Sequence, residues 1–232
     1  MIIGSGLIAK ALKDLAKDRD DIIIFASGVS NSQENKIEEF QREIELLEKN
    51  LKIKKFILYF SSIDVLGYNS NSSLYIKHKY EIEQKVKKIP SLILRLPQLV
   101  GHNQNQNNLV PYLYNCIVNN KEFELKINYQ RNLIDVDDLA RVISHIINQK
   151  ASVGKIINIF NPHFIKVIEI VKIIEDLSKI KAIYKISEEK FSFVKPELSK
   201  NYLSILKKSN VVLNKNYNFN LIKKYFFLKK FK

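Results

Sequence analysis

Short apolar runs at Met1–Ile3, Ile22–Phe25, Phe56–Phe60 and Leu92–Leu96 alternate with segments whose apolar residues recur every three or four positions. Continuous apolar runs suit strands buried on both faces, and strand–helix alternation builds a parallel sheet with helices on both faces. Leu7, Ala11, Leu12 and Leu15 give the first helix a stripe. Ile37, Phe40, Ile44, Leu47 and Leu51 give the second, with Asn31 as its expected cap and Glu34 three residues on. A third helix is expected over 75–87. In such a sheet, ligands bind at the carboxyl ends of the strands.

Those ends carry the residues with chemistry. Gly4-Ser5-Gly6-Leu7-Ile8-Ala9 lies between the first strand and first helix. Glycines there permit a tight turn and close backbone approach, and the helix start offers unpaired N–H groups to a pyrophosphate. A plain glycine-containing turn is the other reading. The second run ends in the small residues Ala26-Ser27-Gly28, and the third in Ser61-Ser62, followed by Val65-Leu66-Gly67. Tyr75 and Lys79 are four apart and share a helix face. An ammonium beside a phenol favours the phenolate and is expected to lower the tyrosine pKa, and a nearby serine can hold an oxygen that the tyrosine protonates. In a chain with 11 tyrosines the pair also fits a half-buried aromatic with a solvated lysine one turn away.

Six segments in a fixed order resemble the extended short-chain dehydrogenase/reductases of the NAD-dependent nucleotide-sugar epimerase/dehydratase type. They are Gly4–Ala9, Ser61-Ser62 with Val65-Leu66-Gly67, Tyr75-x-x-x-Lys79, Leu94-Arg95-Leu96-Pro97-x-x-Val100-Gly101, Arg131-Asn132-Leu133-Ile134-Asp135-Val136-Asp137-Asp138-Leu139-Ala140, and Ile157-Asn158-Ile159-Phe160-Asn161. The resemblance implies a Rossmann-like fold and an enzyme using NAD or NADP on a nucleoside-diphosphate sugar. It gives Ser62, Tyr75 and Lys79 the catalytic roles. It gives Gly4, Ser5, Gly6, Leu7, Ile8, Ala26, Ser27, Gly28, Lys79 and Pro97 to the cofactor, and Ser62, Gln98, Asn108 and Arg131 to the substrate. Arg131, one of five arginines, suits phosphate oxygens, and it equally suits a salt bridge to Asp135, Asp137 or Asp138. The resemblance further implies a homodimer through the helices at 33–50 and 75–87.

The chain departs from that family in its first half. Only Lys17-Asp18-Arg19-Asp20-Asp21 separates the first helix from the run at 22–25, which leads on toward the serine strand. The family's second and third strands are therefore expected to be missing, leaving the first strand at an edge. Their loss removes the residue that reports NAD against NADP preference. Residues 1–101 are read as the shortened dinucleotide-binding part, and 102–232 as mainly a substrate lobe, with 133–160 returning to the main sheet. In that lobe 102–108 is a polar loop whose amides suit sugar hydroxyls. A helix is expected over 136–147, a strand over 155–160, a helix over 164–177 and a strand over 182–186. Residues after 187 show no readable pattern.

Among activities, this reading favours reduction of a nucleotide-linked 4-keto-6-deoxy sugar for bacterial surface polysaccharide. An epimerase and a non-catalytic relative that has lost cofactor affinity are the alternatives. With 38 Lys and Arg against 24 Asp and Glu, the net charge is +14. The lysines spread along the chain, which argues against a nucleic-acid surface. The exception is the aromatic and basic end from Lys223, which suits weak peripheral contact with anionic lipid or packing on the core. Apolar stretches are too short to span a membrane, no signal peptide is read, and a cytoplasmic setting is expected. The single cysteine, Cys116, lies in a helical pattern as a core residue, and the four histidines form no metal-ligand pattern.

Overall fold

The computed structural model describes residues 1–17, 19–102, 104–148, 154–188 and 193–228. The chain divides into two compact units, Met1–Pro97 with Val136–Phe160 and Phe193–Val211, and Gln98–Asp135 with Asn161–Ser192 and Val212–Lys232. The first unit begins with β1 (Ile2–Ile3), α1 (Leu7–Ala11), α2 (Lys13–Lys17), β2 (Ile22–Phe25), α3 (Ile37–Leu51), β3 (Phe56–Ser62), a 3-10 turn (Ile63–Gly67), α4 (Leu74–Val86) and β4 (Ser91–Leu96). The chain then enters the second unit with β5 (Gln98–Val100), α5 (Leu109–Val118), β6 (Phe123–Lys126), β7 (Gln130–Arg131) and β8 (Leu133–Asp135). It returns with α6 (Val136–Ile147) and β9 (Lys155–Asn158), and crosses again for β10 (Ile165–Lys166), α7 (Val167–Ser178) and β11 (Tyr184–Ser187). Last come α8 (Lys200–Lys208) in the first unit and α9 (Tyr217–Phe226) in the second.

The first unit is built on a five-stranded sheet in the order β1-β2-β3-β4-β9, every pair parallel. Ile2 and Ile3 pair directly with Ile24 and Phe25 of β2, so β1 is an edge strand among the described residues, as the short spacing predicts. Side chains alternate across a sheet. Ile23, Phe25, Ile57, Tyr59 and Ile93 face one way and form one cluster with Leu47 of α3 and Ile82 and Val86 of α4. Ile22, Ile24, Leu58, Phe60, Leu92 and Leu94 face the other way and are equally buried. The remaining helices include α1 and α6, which touch, and α8, which packs on α6. The phenol of Tyr202 on α8 accepts from the Phe160 N–H at 2.8 Å and donates to the Phe160 carbonyl at 2.5 Å, fixing the chain where it leaves β9.

The second unit has its own core, in which Cys116 packs with Val110, Leu113, Ile117, Ile170 and Leu221. Its strands form three two-stranded pairs, β5 with β8, β6 with β11, and β7 with β10. The α9 helix is tied down by Asp135, whose carboxylate accepts from Lys224 at 2.8 Å and from the Tyr225 phenol at 2.6 Å.

Several element ends differ from the sequence reading. The first helix breaks at Leu12 into two short pieces. The α3 helix starts at Ile37, because Asn31 and Glu34 do not cap it. Asn31 accepts instead from the Gln33 N–H, and Glu34 from the Asn35 and Lys36 N–H groups, closing local turns. The strand expected to run to 160 stops at Asn158. The helix expected from 164 starts at Val167, after the short β10, where the Glu169 carboxylate accepts the Lys166 N–H. The strand expected at 182–186 starts two residues later and ends one residue later, at Tyr184–Ser187. The end of the basic tail, 229–232, and Asn103 of the polar loop lie outside the described residues. No described helix is long and apolar enough to cross a membrane.

Candidate active site

The turn after β1 is shaped by Gly4, whose φ of +121° is closed to most side chains, and a Cβ there would stand 2.4 Å from the Ala26 carbonyl oxygen. The Ala26 N–H donates to the Ile3 carbonyl, so the ends of β1 and β2 meet at this point. Gly6 differs: nothing lies within 4 Å of where its Cβ would be. Gly4, Ser5 and Gly6 are exposed, followed by Leu7 and Ile8 at the start of α1. A tight turn, an open Cα and a helix start fit a dinucleotide pyrophosphate. Pro97, buried, closes the carboxyl end of β4.

Ser62 ends β3 and caps the 3-10 turn: its hydroxyl accepts from the Asp64 N–H and donates to Asp64 Oδ2, both at 3.3 Å. Ser73 caps α4, accepting from the Ile76 N–H. That start places Tyr75 in the first turn and Lys79 one turn on, both buried. The Ser62 hydroxyl is near enough to act on the ionisation of the Tyr75 phenol, so the structure brings these two candidates together. Lys79 Nζ lies 5.9 Å from the centre of the Tyr75 ring.

The expected lowering of the Tyr75 pKa by Lys79 is not what the environment produces. Burial pushes the phenol well above its ordinary value, the Ser62 hydroxyl offsets part of this, and Asp64 and Glu43 push it further up. Lys79 is spent elsewhere. Its ammonium donates to both oxygens of Glu43, at 3.1 and 3.3 Å, and to the Tyr59 phenol at 3.2 Å. Glu43, on α3, is completely buried and accepts as well from Tyr59 at 2.7 Å, from the Val29 N–H at 2.7 Å and from His78 Nε2 at 2.9 Å. A carboxylate can only accept, so Nε2 carries the proton in that contact. Burial alone would raise the Glu43 pKa, but Lys79, His78 and Tyr59 together hold it well below the usual carboxylate range.

This cluster also explains Gly28. A Cβ on Gly28 would stand 2.7 Å from Lys79 Nζ and 2.9 Å from Glu43 Oε1. The small residue makes room for the ion pair, where the sequence suggested room for a cofactor. Ser27 accepts from Arg42 through its hydroxyl and carbonyl. Glu43, Tyr59 and His78 escaped the sequence reading. The available signal was a carboxylate placed between Phe40 and Leu47 on the buried stripe of α3.

The other candidates belong to the second unit. The Gln98 N–H donates to the Asn132 carbonyl, which sets Gln98 beside the strand that follows Arg131. Arg131 lies over the Tyr129 ring at 5.2 Å and donates to the Gln130 carbonyl. Of the aspartates weighed as its partners, Asp135 holds Lys224 and Asp138 holds Arg141. Asn108 begins α5 without a side-chain capping bond. In the polar loop, His102 packs edge-on against Tyr225, and the buried Gln104 side-chain oxygen has no hydrogen-bond partner among the described residues. No three His, Cys, Asp or Glu side chains converge as metal ligands among the described residues.

The fold is shared with solved structures of low sequence identity. RMD from Pseudomonas aeruginosa, complexed with NADPH, is 16% identical with a TM-score of 0.69, over 96% of this chain and 86% of that one. UDP-glucuronic acid 4-epimerase from Bacillus cereus, in complex with UDP-glucuronic acid and NAD, is 16% identical with a TM-score of 0.66, over 94% and 77%. dTDP-glucose 4,6-dehydratase from Bacillus anthracis, in complex with NAD, is 17% identical with a TM-score of 0.65, over 95% and 77%. No curated protein matches the chain in sequence. The profile of the NAD dependent epimerase/dehydratase family matches residues 10–159. With well over half of its length matched, and the parallel sheet that the match requires, the chain belongs to the NAD dependent epimerase/dehydratase family.

Proposed function

We propose that the chain is an NAD(P)H-dependent oxidoreductase of nucleotide-linked sugars, and within that class a reductase of a 4-keto-6-deoxy sugar serving surface polysaccharide synthesis. The observation that carries this reading is the placement of Ser62 at the carboxyl end of β3 and of Tyr75, buried, in the first turn of α4, both at the carboxyl edge of a parallel sheet. A reduced nicotinamide, when bound, supplies hydride to the keto carbon. The chain's own residues do the remaining work. Ser62 holds the keto oxygen by a hydrogen bond, and Tyr75 gives its proton to that oxygen as negative charge develops on it. Gly4, Ser5, Gly6, Leu7 and Ile8 would hold the pyrophosphate, with Ala26, Ser27 and Pro97 beside the nicotinamide half. Lys79 closes the site beneath Gly28. Gln98, Asn108 and Arg131 would bind the sugar nucleotide, the Arg131 guanidinium meeting its diphosphate. NAD against NADP preference stays open in this reading. A cytoplasmic setting goes with it, because reduced nicotinamide nucleotides are kept there.

An epimerase is the second reading, supported by the family description and by the Bacillus cereus epimerase among similar folds. An epimerase must keep its NAD through both oxidation and re-reduction, and the sheet that passes directly from β1 to β2 offers fewer contacts to the adenosine half, which favours a reductase with exchangeable cofactor. A thermal-shift comparison with NADH and NADPH tests the shared premise, since a ligand that binds only the native state raises its melting temperature. The expected result is a rise that saturates with at least one of them. No rise with either would support a non-catalytic relative and overturn the assignment.

A further inference from the structure

The edge of the main sheet opposite Ser62 and Tyr75 gathers charge that the proposed chemistry does not use. All five strands are parallel, so β2, β3, β4 and β9 begin along one rim. The chain enters β3 through Lys52-Ile53-Lys54-Lys55 and β4 through Lys87-Lys88-Ile89-Pro90, and β9 starts at Lys155. The first two approaches are neighbours, since the Ile57 N–H donates to the Pro90 carbonyl at 3.1 Å. Lysines that look scattered along the sequence are thus brought together by the fold. Lys52, Lys54, Lys87, Lys88 and Lys155 are exposed and Lys55 is half-buried. None of the six forms an ion pair among the described residues, and two of the acidic side chains beside them are already engaged: Asp21 holds Arg19 and Glu48 holds Lys85, each at 2.8 Å.

Helix C-termini attract cations, which accounts for Lys52 and Lys87, the C-caps of α3 and α4. It does not account for Lys54, Lys55, Lys88 and Lys155, nor for Ile53, an apolar side chain set between lysines and 44% exposed. We propose that this rim is a docking face for a negatively charged lipid surface, its lysines meeting headgroup phosphates and Ile53 entering the boundary between headgroups and acyl chains. Charge and an inserted apolar side chain are the two terms that hold a protein on such a surface. Ammonium groups are strongly hydrated point charges, suited to diffuse attraction by a charged plane, whereas guanidinium forks suit individual phosphates. The one arginine at the rim, Arg19, is turned to Asp21. No exposed aromatic ring lies there among the described residues for a base to stack on, so a lipid surface fits the rim better than a nucleic acid. Docked by this edge, the first unit turns Gly4, Gly6 and Ser62 away from the lipid. The inference does not rest on the proposed reduction.

The test sediments the full chain with vesicles of phosphatidylcholine alone or of phosphatidylcholine and phosphatidylglycerol in equal amounts, at low and high salt. Capture is expected only by the anionic vesicles, and it should fall as salt screens the lysines. No capture at low salt, or equal capture by neutral vesicles, would overturn the proposal, and this result needs no variant to fold. In Lys52→Gln/Lys54→Asn/Lys87→Gln/Lys88→Gln, partition should drop by about a hundredfold or more, since each lysine near a charged leaflet contributes about fivefold. Asparagine is used at position 54 because the backbone there is left-handed, with φ of +56°. The control Lys121→Gln/Lys172→Gln/Lys179→Asn/Lys215→Gln removes the same charge from exposed positions of the second unit and should keep its partition to within about fivefold. Equal losses in the two variants would mean attraction by net charge without a docking face, and would overturn it. Ile53→Ser should weaken capture by about fivefold or more, the effect of losing a buried aliphatic side chain. Unaltered capture by that variant, or displacement from the vesicles by a DNA or RNA oligonucleotide at a lower phosphate concentration than the lipid, would overturn a lipid face.

Discussion

Gly4 and Gly6 look alike in the sequence and differ in what they do. Gly4→Ala forces a side chain into left-handed backbone and against the Ala26 carbonyl, so it should destabilise the protein by about 1–3 kcal/mol in denaturant unfolding. Gly6→Ala meets open space and should leave stability nearly unchanged while weakening NADH or NADPH binding, read by fluorescence titration. Equal loss of stability in both variants would contradict this division. Glu43 carries a pH dependence of known sign. Its folded-state pKa lies below the ordinary 4.5, so it contributes stability above that value and loses it progressively as pH falls. Urea unfolding at a series of acid pH values should therefore show stability declining below about 4.5, less steeply in Glu43→Gln. The Tyr75–Lys79 pair was legible because residues four apart share a helix face whatever the tertiary structure. Glu43 was not, because α3 also carries Glu38, Glu39, Glu45 and Glu48, and only the docking of α3 beside α4 shows which carboxylate turns inward.

At the scale of elements, the main-sheet strands and α6 were readable from strong apolar patterns, and α3 from a stripe that Glu43 and Asn50 interrupt, whereas the buried face of α4 carries His78, Lys79 and Glu83 and was read from the strands on either side and the spacing of Tyr75 and Lys79. Ends were less so: Asn31 and Glu34 have the composition of a helix start but are satisfied by turns of their own, and α3 begins only at Ile37. The two-residue strands β7 and β10 carry no period at all, and α8 and α9 lie in lysine- and asparagine-rich sequence whose apolar stripe is thin. What secures α8 is partly polar. Tyr202→Phe would strip partners from the buried N–H and carbonyl of Phe160, and should cost about 1–3 kcal/mol in denaturant unfolding. It should leave dinucleotide affinity intact. A loss of affinity without a loss of stability would place Tyr202 in the site and contradict its role as a fastener.

For the whole molecule, the shortened sheet was legible from the five residues between the first helix and the run at 22–25, a linker too brief for another strand–helix pair. Assembly is proposed on the family resemblance and on exposed apolar residues at the starts of α3 and α4, Ile37 at 73% and Leu74 at 52% exposure. A homodimer is the expected result of light scattering at micromolar concentration, and a monomer would count against it. The proposed reduction joins the site to a reaction, and stoichiometric turnover tests it most directly. The purified protein is mixed with reduced nicotinamide nucleotide and a nucleoside-diphosphate-linked 4-keto-6-deoxy sugar, and loss of the reduced nucleotide is followed by its absorbance beside the appearance of the alcohol. One reduced nucleotide should be consumed for each sugar reduced. Tyr75→Phe should slow this by about a hundredfold or more, the scale of general acid catalysis, while still binding the nucleotide. Turnover by Tyr75→Phe at the unaltered rate, or no consumption of either reduced nucleotide by the intact protein, would contradict the account.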